Sequence, residues 1–388
     1  KFLCQQMKLQ ELNIKLINND NDRFKILKSL TIGNIFLFNE KEKILFYLKQ
    51  IEIITKKLIL KDGGHVSRNP RKQLKLLREL IEIRAATASI PEINNSNLHK
   101  NVNLMSKFFK MFCMPDGSYC FFNGGSLIQK LEIYETLKRI GKPSKNFEIA
   151  SFSGYCKFNN KSMILCLDLG TKESFNLTDN FVNKASVCSF ELYYKKQKLI
   201  TNLGDLKINN NLNSILSLAS SAAHSTLIID DRNNIDLLNN RKLEFLKVKK
   251  NQNNLGDLIE IEHSGYENAF GVNHKRTIFI KKNGLDLRGI DEVINIQNSG
   301  VIPREAKIRF HLSSLLKVFE LRNKRILIKH KDGLTFYFIS SHKAKIEKTT
   351  IFCNNIKKIS NQIVINVPLS DIRNIKIKKC NWSFKFEN

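Results

Sequence analysis

The stretch Asp62-Gly63-Gly64-His65-Val66-Ser67-Arg68-Asn69-Pro70 gathers a histidine, an arginine and an asparagine directly ahead of a helical pattern. Side chains of these types can meet one anion. A helix N-terminus offers unpaired N–H groups and partial positive charge, and the planar guanidinium of Arg68 matches a carboxylate with two parallel bonds. The same residues have a plainer use. Asn69 caps the helix, Pro70 fills its first position, where a missing N–H costs nothing, and His65 sits on a turn.

Further candidates lie downstream. His224 follows Ala222-Ala223 at the start of a strand with alternating Leu227 and Ile229. It reads as a base or as a core histidine. His263 and Tyr266 offer a base and an acid, but three residues apart on a strand they fall on opposite faces. Arg276 reads as an anion clamp or as a charge on a solvated strand edge. Tyr119, in Asp116-Gly117-Ser118-Tyr119, lines a cleft or packs beside a turn. Arg309 and His311 alternate with Phe310 and Leu312, so they share one polar face. His99, His330 and His342 read as surface residues. Eight cysteines include no CxxC pair, so a zinc ribbon is excluded, and most sit in apolar runs as small core residues.

The elements that position these residues follow from periodicity. Residues 1–140 read as helices, at 2–16, 22–37, 41–60, from Pro70 onward, 98–112 and 127–140. The clearest stripe is Ile44, Leu45, Leu48, Ile51, Ile54 and Leu58. At Gly141-Lys142-Pro143 the period changes to two. Short runs follow at 152–158, 162–168, 186–194, 198–202, 225–230, 258–263, 275–281, 306–312, 325–329, 334–340, 362–367 and 382–386, separated by Asn, Gly and Asp turns. Helices first and strands second predict two domains, 1–145 and 146–388: antiparallel helical hairpins, then a large antiparallel β-sandwich.

Composition narrows the partners. The chain has 388 residues, with 64 Lys+Arg against 36 Asp+Glu, a formal charge of +28. That field favours polyanions, although the abundance of Lys, Asn and Ile also fits compositional bias. No apolar run reaches the about 20 residues that span a bilayer. Nothing resembles an aromatic stacking platform or a recognition helix, which argues against nucleic acid. The start, Lys1-Phe2-Leu3-Cys4-Gln5, has no Met and no signal-peptide core, and reads as the middle of a helix. The expectation is a fragment lacking earlier helices.

Several motifs then combine. The Asp62–Pro70 loop is followed by Pro115-Asp116-Gly117 and Phe122-Asn123-Gly124-Gly125. Next come Ser153-Gly154-Tyr155, Cys188-Ser189-Phe190-Glu191-Leu192 with Asn202-Leu203-Gly204, and Ala222-Ala223-His224-Ser225-Thr226-Leu227. His263-Ser264-Gly265-Tyr266, His274-Lys275-Arg276, Arg309-Phe310-His311-Leu312 and Trp382-Ser383-Phe384 complete the series. In this order they resemble the bacterial heparinase II/III-like proteins over nearly the whole chain.

The resemblance implies an incomplete α/α toroid joined to an antiparallel β-sandwich, with substrate between them, and a periplasmic or envelope location. It implies a carbon–oxygen lyase that cleaves an acidic, uronate-containing polysaccharide by β-elimination. The expected catalytic set is His65, Arg68, Asn69, His224 and Tyr266, with His65, Arg68 and His224 expected in one cleft. Tyr119, Lys184, Asn202, His263 and Arg276 are expected at the substrate. The family's tyrosine is missing from Arg71-Lys72-Gln73-Leu74, and its histidines are missing from Val182-Asn183-Lys184. Its zinc ligands correspond to Lys184, Asn202 and His224, of which one is retained. No cofactor and no structural zinc are therefore expected, with the Lys184 ammonium filling the space and bonding to Asn202 or a carboxylate. The departures also suit an alternative, a catalytically degraded relative that binds acidic glycans or serves in envelope polysaccharide assembly.

Overall fold

The stripe at 44–58 forms a helix whose buried side is turned slightly from the expected one. Ile44, Tyr47, Ile51, Ile54, Thr55 and Leu58 face inward, whereas Leu45 is exposed. The computed structural model describes residues 1–388 apart from 94, 126, 142–147, 161, 173–183, 206–211, 239–242, 298–299, 324, 354–355 and 388. The expected domain joint near 146 and the Val182-Asn183 pair lie outside the described residues.

Two compact units result. The helical unit comprises Lys1–Met111 and Lys130–Ser153. It holds α1 (Phe2–Asn13), α2 (Asp20–Leu37), α3 (Lys41–Leu58), α4 (Pro70–Thr87), most of α5 (Ser96–Phe112), α6 (Lys130–Ile140) and the two-residue strand β1 (Ile149–Ala150). α2 packs on α3 and on α4. Local chemistry sets the helix starts. The Asn19 side chain accepts from the N–H groups of Asn21 and Asp22, and Asn69 does the same for Arg71 and Lys72, with Pro70 at the first position as expected. No helix among the described residues is long and apolar enough to cross a membrane.

The sandwich unit comprises the described residues of Phe112–Gln129, Gly154–Phe175 and Val182–Asn388. The segment 112–129 thus groups with the sheets rather than with the helices beside it in sequence. It is tied there by Phe121 N–H donating to Glu191 (3.0 Å) and by a hydrogen bond between Ser118 and Tyr193 (2.9 Å).

The unit's strands are β2 (Tyr155–Asn160), β3 (Met163–Asp168), β4 (Phe190–Tyr194), β5 (Gln197–Thr201), β6 (Gly204–Asp205), β7 (Leu227–Ile229), β8 (Leu246–Gln252), β9 (Gly256–Tyr266) and β10 (Val272–Lys281). They continue with β11 (Asp286–Asn295), β12 (Glu305–Leu312), β13 (Leu316–Glu320), β14 (Ile326–His330), β15 (Thr335–Ser340), β16 (Ala344–Cys353), β17 (Ile356–Pro368) and β18 (Ile377–Phe386). One sheet runs β2-β3-β4-β5-β12-β17-β16-β6 with β7 also on β12; the other runs β13-β14-β15-β18-β11-β10-β9-β8. The expected large antiparallel sheets are present. Strands β8, β11, β13 and β16 were not expected, and the short helix α7 (Leu212–Ala219) interrupts the strand series.

Aromatic rings fill the space between the sheets. Trp382 of β18 stacks on Phe190 of β4 at 5.8 Å and meets Phe310 of β12 edge-on at 4.9 Å. Gly289 makes room for the indole: a Cβ there would lie 2.0 Å from Trp382.

Candidate functional site

In the helical unit the Asp62–Pro70 loop is held closed from within. The Asp62 carboxylate accepts from Gly64 N–H (3.1 Å), from Ser153 N–H (2.6 Å) and from the Ser153 hydroxyl (2.6 Å). Gln73 braces the other side, accepting from His65 N–H (2.6 Å) and donating to the carbonyls of Gly63 and Met105. Gly63 has φ +85°, and a Cβ there would strike the Leu104 carbonyl at 2.4 Å. Asp62, Ser153 and Gln73 stand in the sequence motifs without an assigned site role. The Asp-x-Gly spacing of an Asx-turn was the one local signal.

The three expected site residues of this loop are together and buried. His65 Nδ1 accepts from Ser67 N–H (3.0 Å) and contacts the Ser67 hydroxyl (2.8 Å), so the ring proton belongs on Nε2. Burial, helped by the charge of Lys72, lowers its pKa to about 3. Arg68 adopts φ +56° and donates Nε–H to the Ser153 carbonyl at 2.7 Å. Asn69 Oδ1 is occupied by the helix it caps.

In the sandwich unit His224 has a different character. Its Nδ1 donates to the Ser220 carbonyl at 2.8 Å, which leaves a lone pair on Nε2 with no partner among the described residues. Burial lowers its pKa to about 4; the Ser220 carbonyl opposes the shift and the charge of Lys184 adds to it. Lys184 is buried, its ammonium 4.0 Å from Asp205, and burial lowers its pKa against the pull of that carboxylate. Asn202 is 1% exposed. Its Oδ1 accepts from Ser225 N–H (3.1 Å), while its Nδ2 is buried with no partner among the described residues. His311 stands near His224, bonding through Nε2 to the Ala222 carbonyl (2.9 Å) on the polar face it was expected to share with Arg309.

Arg276 requires a correction. It is neither an anion clamp nor an edge charge, being fully buried between the sheets. Nε and Nη2 form a fork on Asp291 (2.7 and 3.0 Å), and Nη1 donates to the carbonyls of Cys188 (2.8 Å) and Ser225 (2.9 Å). Trp382 Nε1–H also donates to Asp291, at 2.7 Å. Burial alone would raise the Asp291 pKa, but the Arg276 charge and the His274 bond hold it well below the usual carboxylate range.

His263 and Tyr266 are corrected with it. A register irregularity between β9 and β10 adds one residue, so both rings lie on the same side, with centroids 6.2 Å apart. The Tyr266 hydroxyl donates to the Leu227 carbonyl (2.7 Å), and burial raises its pKa far above its ordinary value. Gly265 N–H donates to His263 Nδ1 (3.1 Å), His263 Nε2 donates to His274 Nδ1 (3.1 Å), and His274 Nε2 donates to Asp291 (2.7 Å). Cys188, His263 and His274 bring ligand atoms within 4.8 Å of one another. The relay nevertheless uses every ring nitrogen of the pair, leaving no lone pair for a metal. Tyr119 is buried edge-on against Phe112 at 5.7 Å. His330 is 3% exposed and accepts from Asp332 N–H in a tight turn, so it is not a surface residue.

Residues 142–382 match the heparinase II/III-like C-terminal family. The chain belongs to that family. It is 22% identical over 355 residues to FtsZ-localized protein C of Caulobacter vibrioides, covering 84% of this chain and 58% of that protein. Among solved structures it is similar to the heparan sulfate lyase HepC of Pedobacter heparinus (TM-score 0.76, 14% identity, 99% of this chain and 62% of that one). It is also similar to a heparinase III gene product (TM-score 0.77, 14% identity, 99% and 61%). The chain thus spans about three-fifths of the length of these relatives. The helices followed by large antiparallel sheets are the fold of this family.

As a heparinase II/III-like protein, the chain is one in which the resemblance implies a zinc ion. The residues at its place do not fit. A zinc ion of this kind needs three or four N, S or carboxylate donors. Lys184 presents an ammonium, Asn202 has its oxygen on Ser225 and an orphaned N–H donor, and His224 alone offers a lone pair.

Proposed function

We propose that this chain is a polysaccharide lyase of the heparinase II/III-like type, cleaving an acidic, uronate-containing polymer by β-elimination with His224 as the base. In that reaction the C5 proton leaves to a base, and the electron pair expels the oxygen at C4. One observation supports this choice above the others. Among the histidines that the sequence marks for the site, His224 is the one whose free nitrogen carries a lone pair not engaged by any described residue, its tautomer set by the Ser220 carbonyl. A pKa lowered to about 4 keeps it unprotonated at neutral pH. The fold match to lyases and the charge of +28 support the substrate class.

The test is absorbance of the unsaturated product across a panel of uronate polymers. Turnover is expected with the wild type and loss of at least about a hundredfold with His224→Ala, the usual scale for a removed general base. Equal rates for the two proteins would exclude His224.

A second reading has its own support. Tyr266 and Arg276, expected as acid and clamp, are consumed inside the sandwich unit. That favours a protein which binds acidic glycans without cleaving them. Saturable binding without absorbance would select it.

A further inference from the structure

The sandwich unit carries a cationic side chain where the resemblance implies a metal, and the surroundings are arranged for it. We infer that the Lys184 ammonium is a tethered replacement for a divalent cation, holding the 184–189 segment to the Asn202–Asp205 segment without any metal.

Four observations carry this. The Lys184 side chain is only 6% exposed, which is unusual for a lysine without a structural reason. Its neighbours are pinned. Ala185 N–H donates to the Ala219 carbonyl (2.8 Å), the Ser186 hydroxyl to Asp168 (2.7 Å), and the Ser221 hydroxyl to the Ala185 carbonyl (2.9 Å). The backbone that follows Lys184 is thus fixed in place. Asp205 supplies a counter-charge at 4.0 Å. The fourth is Asn202, a neutral amide whose Nδ2 is buried with no partner among the described residues. A carboxylate would complement a divalent ion; a neutral amide at that position adds no charge to the Lys184–Asp205 pair.

The chemistry excludes sharing. A protonated lysine has no lone pair to coordinate with and repels a second cation. The inference concerns the fold of the sandwich unit and does not depend on lyase activity.

The exchange should be reversible by mutation. Lys184→His with Asn202→Asp would restore two donors beside His224 Nε2. Zinc content is measured by elemental analysis after dialysis against zinc, and Tm with and without chelator. Wild type is expected to hold far less than one zinc per chain and to show no Tm change with chelator. The double variant should hold about one zinc and lose several degrees of Tm on chelation. Adding His224→Ala should abolish that binding. Lys184→Met should lower Tm, with no rescue by zinc, and this readout decides if the double variant does not fold. Stoichiometric, chelator-sensitive zinc in the wild type would overturn the inference. So would a folded double variant with no zinc, or an unchanged Tm in Lys184→Met.

Discussion

Arg276 shows how one side chain can look like a binding residue and serve the core. On a strand, next to His274-Lys275, it has the sequence appearance of a clamp. Its fork is instead spent on Asp291, and two further bonds reach Cys188 and Ser225 carbonyls. Because both charges are buried, removing one leaves the other uncompensated. Arg276→Met is expected to cost about 3–5 kcal/mol of stability. Arg276→Lys should also destabilise, since a point charge cannot reproduce the fork. The double variant Arg276→Met/Asp291→Leu should recover part of the loss. Urea unfolding of the three proteins checks this, and a cost below about 1 kcal/mol for Arg276→Met would show that the pair is not a core staple.

At the scale of elements, the Asp62–Pro70 loop depends on its glycines. A Cβ on Gly64 would lie 1.9 Å from Ser153 Oγ, an atom that Asp62 already holds at 2.6 Å. Gly64→Ala must therefore displace Ser153 and open the clamp. Overpacking of this kind costs about 1–3 kcal/mol. Thermal unfolding should show the loss, and amide exchange should rise first around residues 62–69. A Gly64→Ala protein as stable as wild type would mean that the clamp does not hold the loop.

This scale also shows what could be read from sequence. Helices α2, α3 and α4 were legible because each buries one stripe at 3.6-residue spacing. β11 was not. Its inward row is Leu287, Gly289, Asp291 and Val293, all buried. Gly289 yields to Trp382 and Asp291 answers Arg276, so the row loses its apolar signature. β8 was missed for the opposite reason: Leu-Lys-Val-Lys-Lys-Asn-Gln is a half-exposed strand rich in lysine, as an edge should be. The loop cluster of His65, Arg68 and Asn69 was visible as a motif. The relay through His263 was not, because one extra residue in β9 reverses the face that alternation assigns.

Across the whole molecule, the charge of +28 is less free than composition suggests. On one sheet, Lys275 pairs with Glu260 (2.8 Å) and Glu292 (3.7 Å), and Lys379 pairs with Glu292 (2.8 Å). Such partly exposed pairs add little stability. The strong pH dependence should come instead from buried histidines in both units. His65 in the helical unit, and His224 and His311 in the sandwich unit, have pKa values lowered chiefly by burial to about 3, about 4 and about 3. In the unfolded chain each returns to about 6.5. Below that value the unfolded state binds protons that the folded state refuses, so stability falls as pH drops and levels off only below the folded values. The slope is at most about 1.4 kcal/mol per pH unit for each histidine. Asp291, held low by Arg276, adds a further loss at the acid end. Urea unfolding near pH 7 and near pH 5 should therefore show a loss of several kcal/mol, reduced in His311→Gln. Equal stability at the two values would mean that these histidines are protonated inside the fold, and with it would go the assignment of His224 as a neutral base.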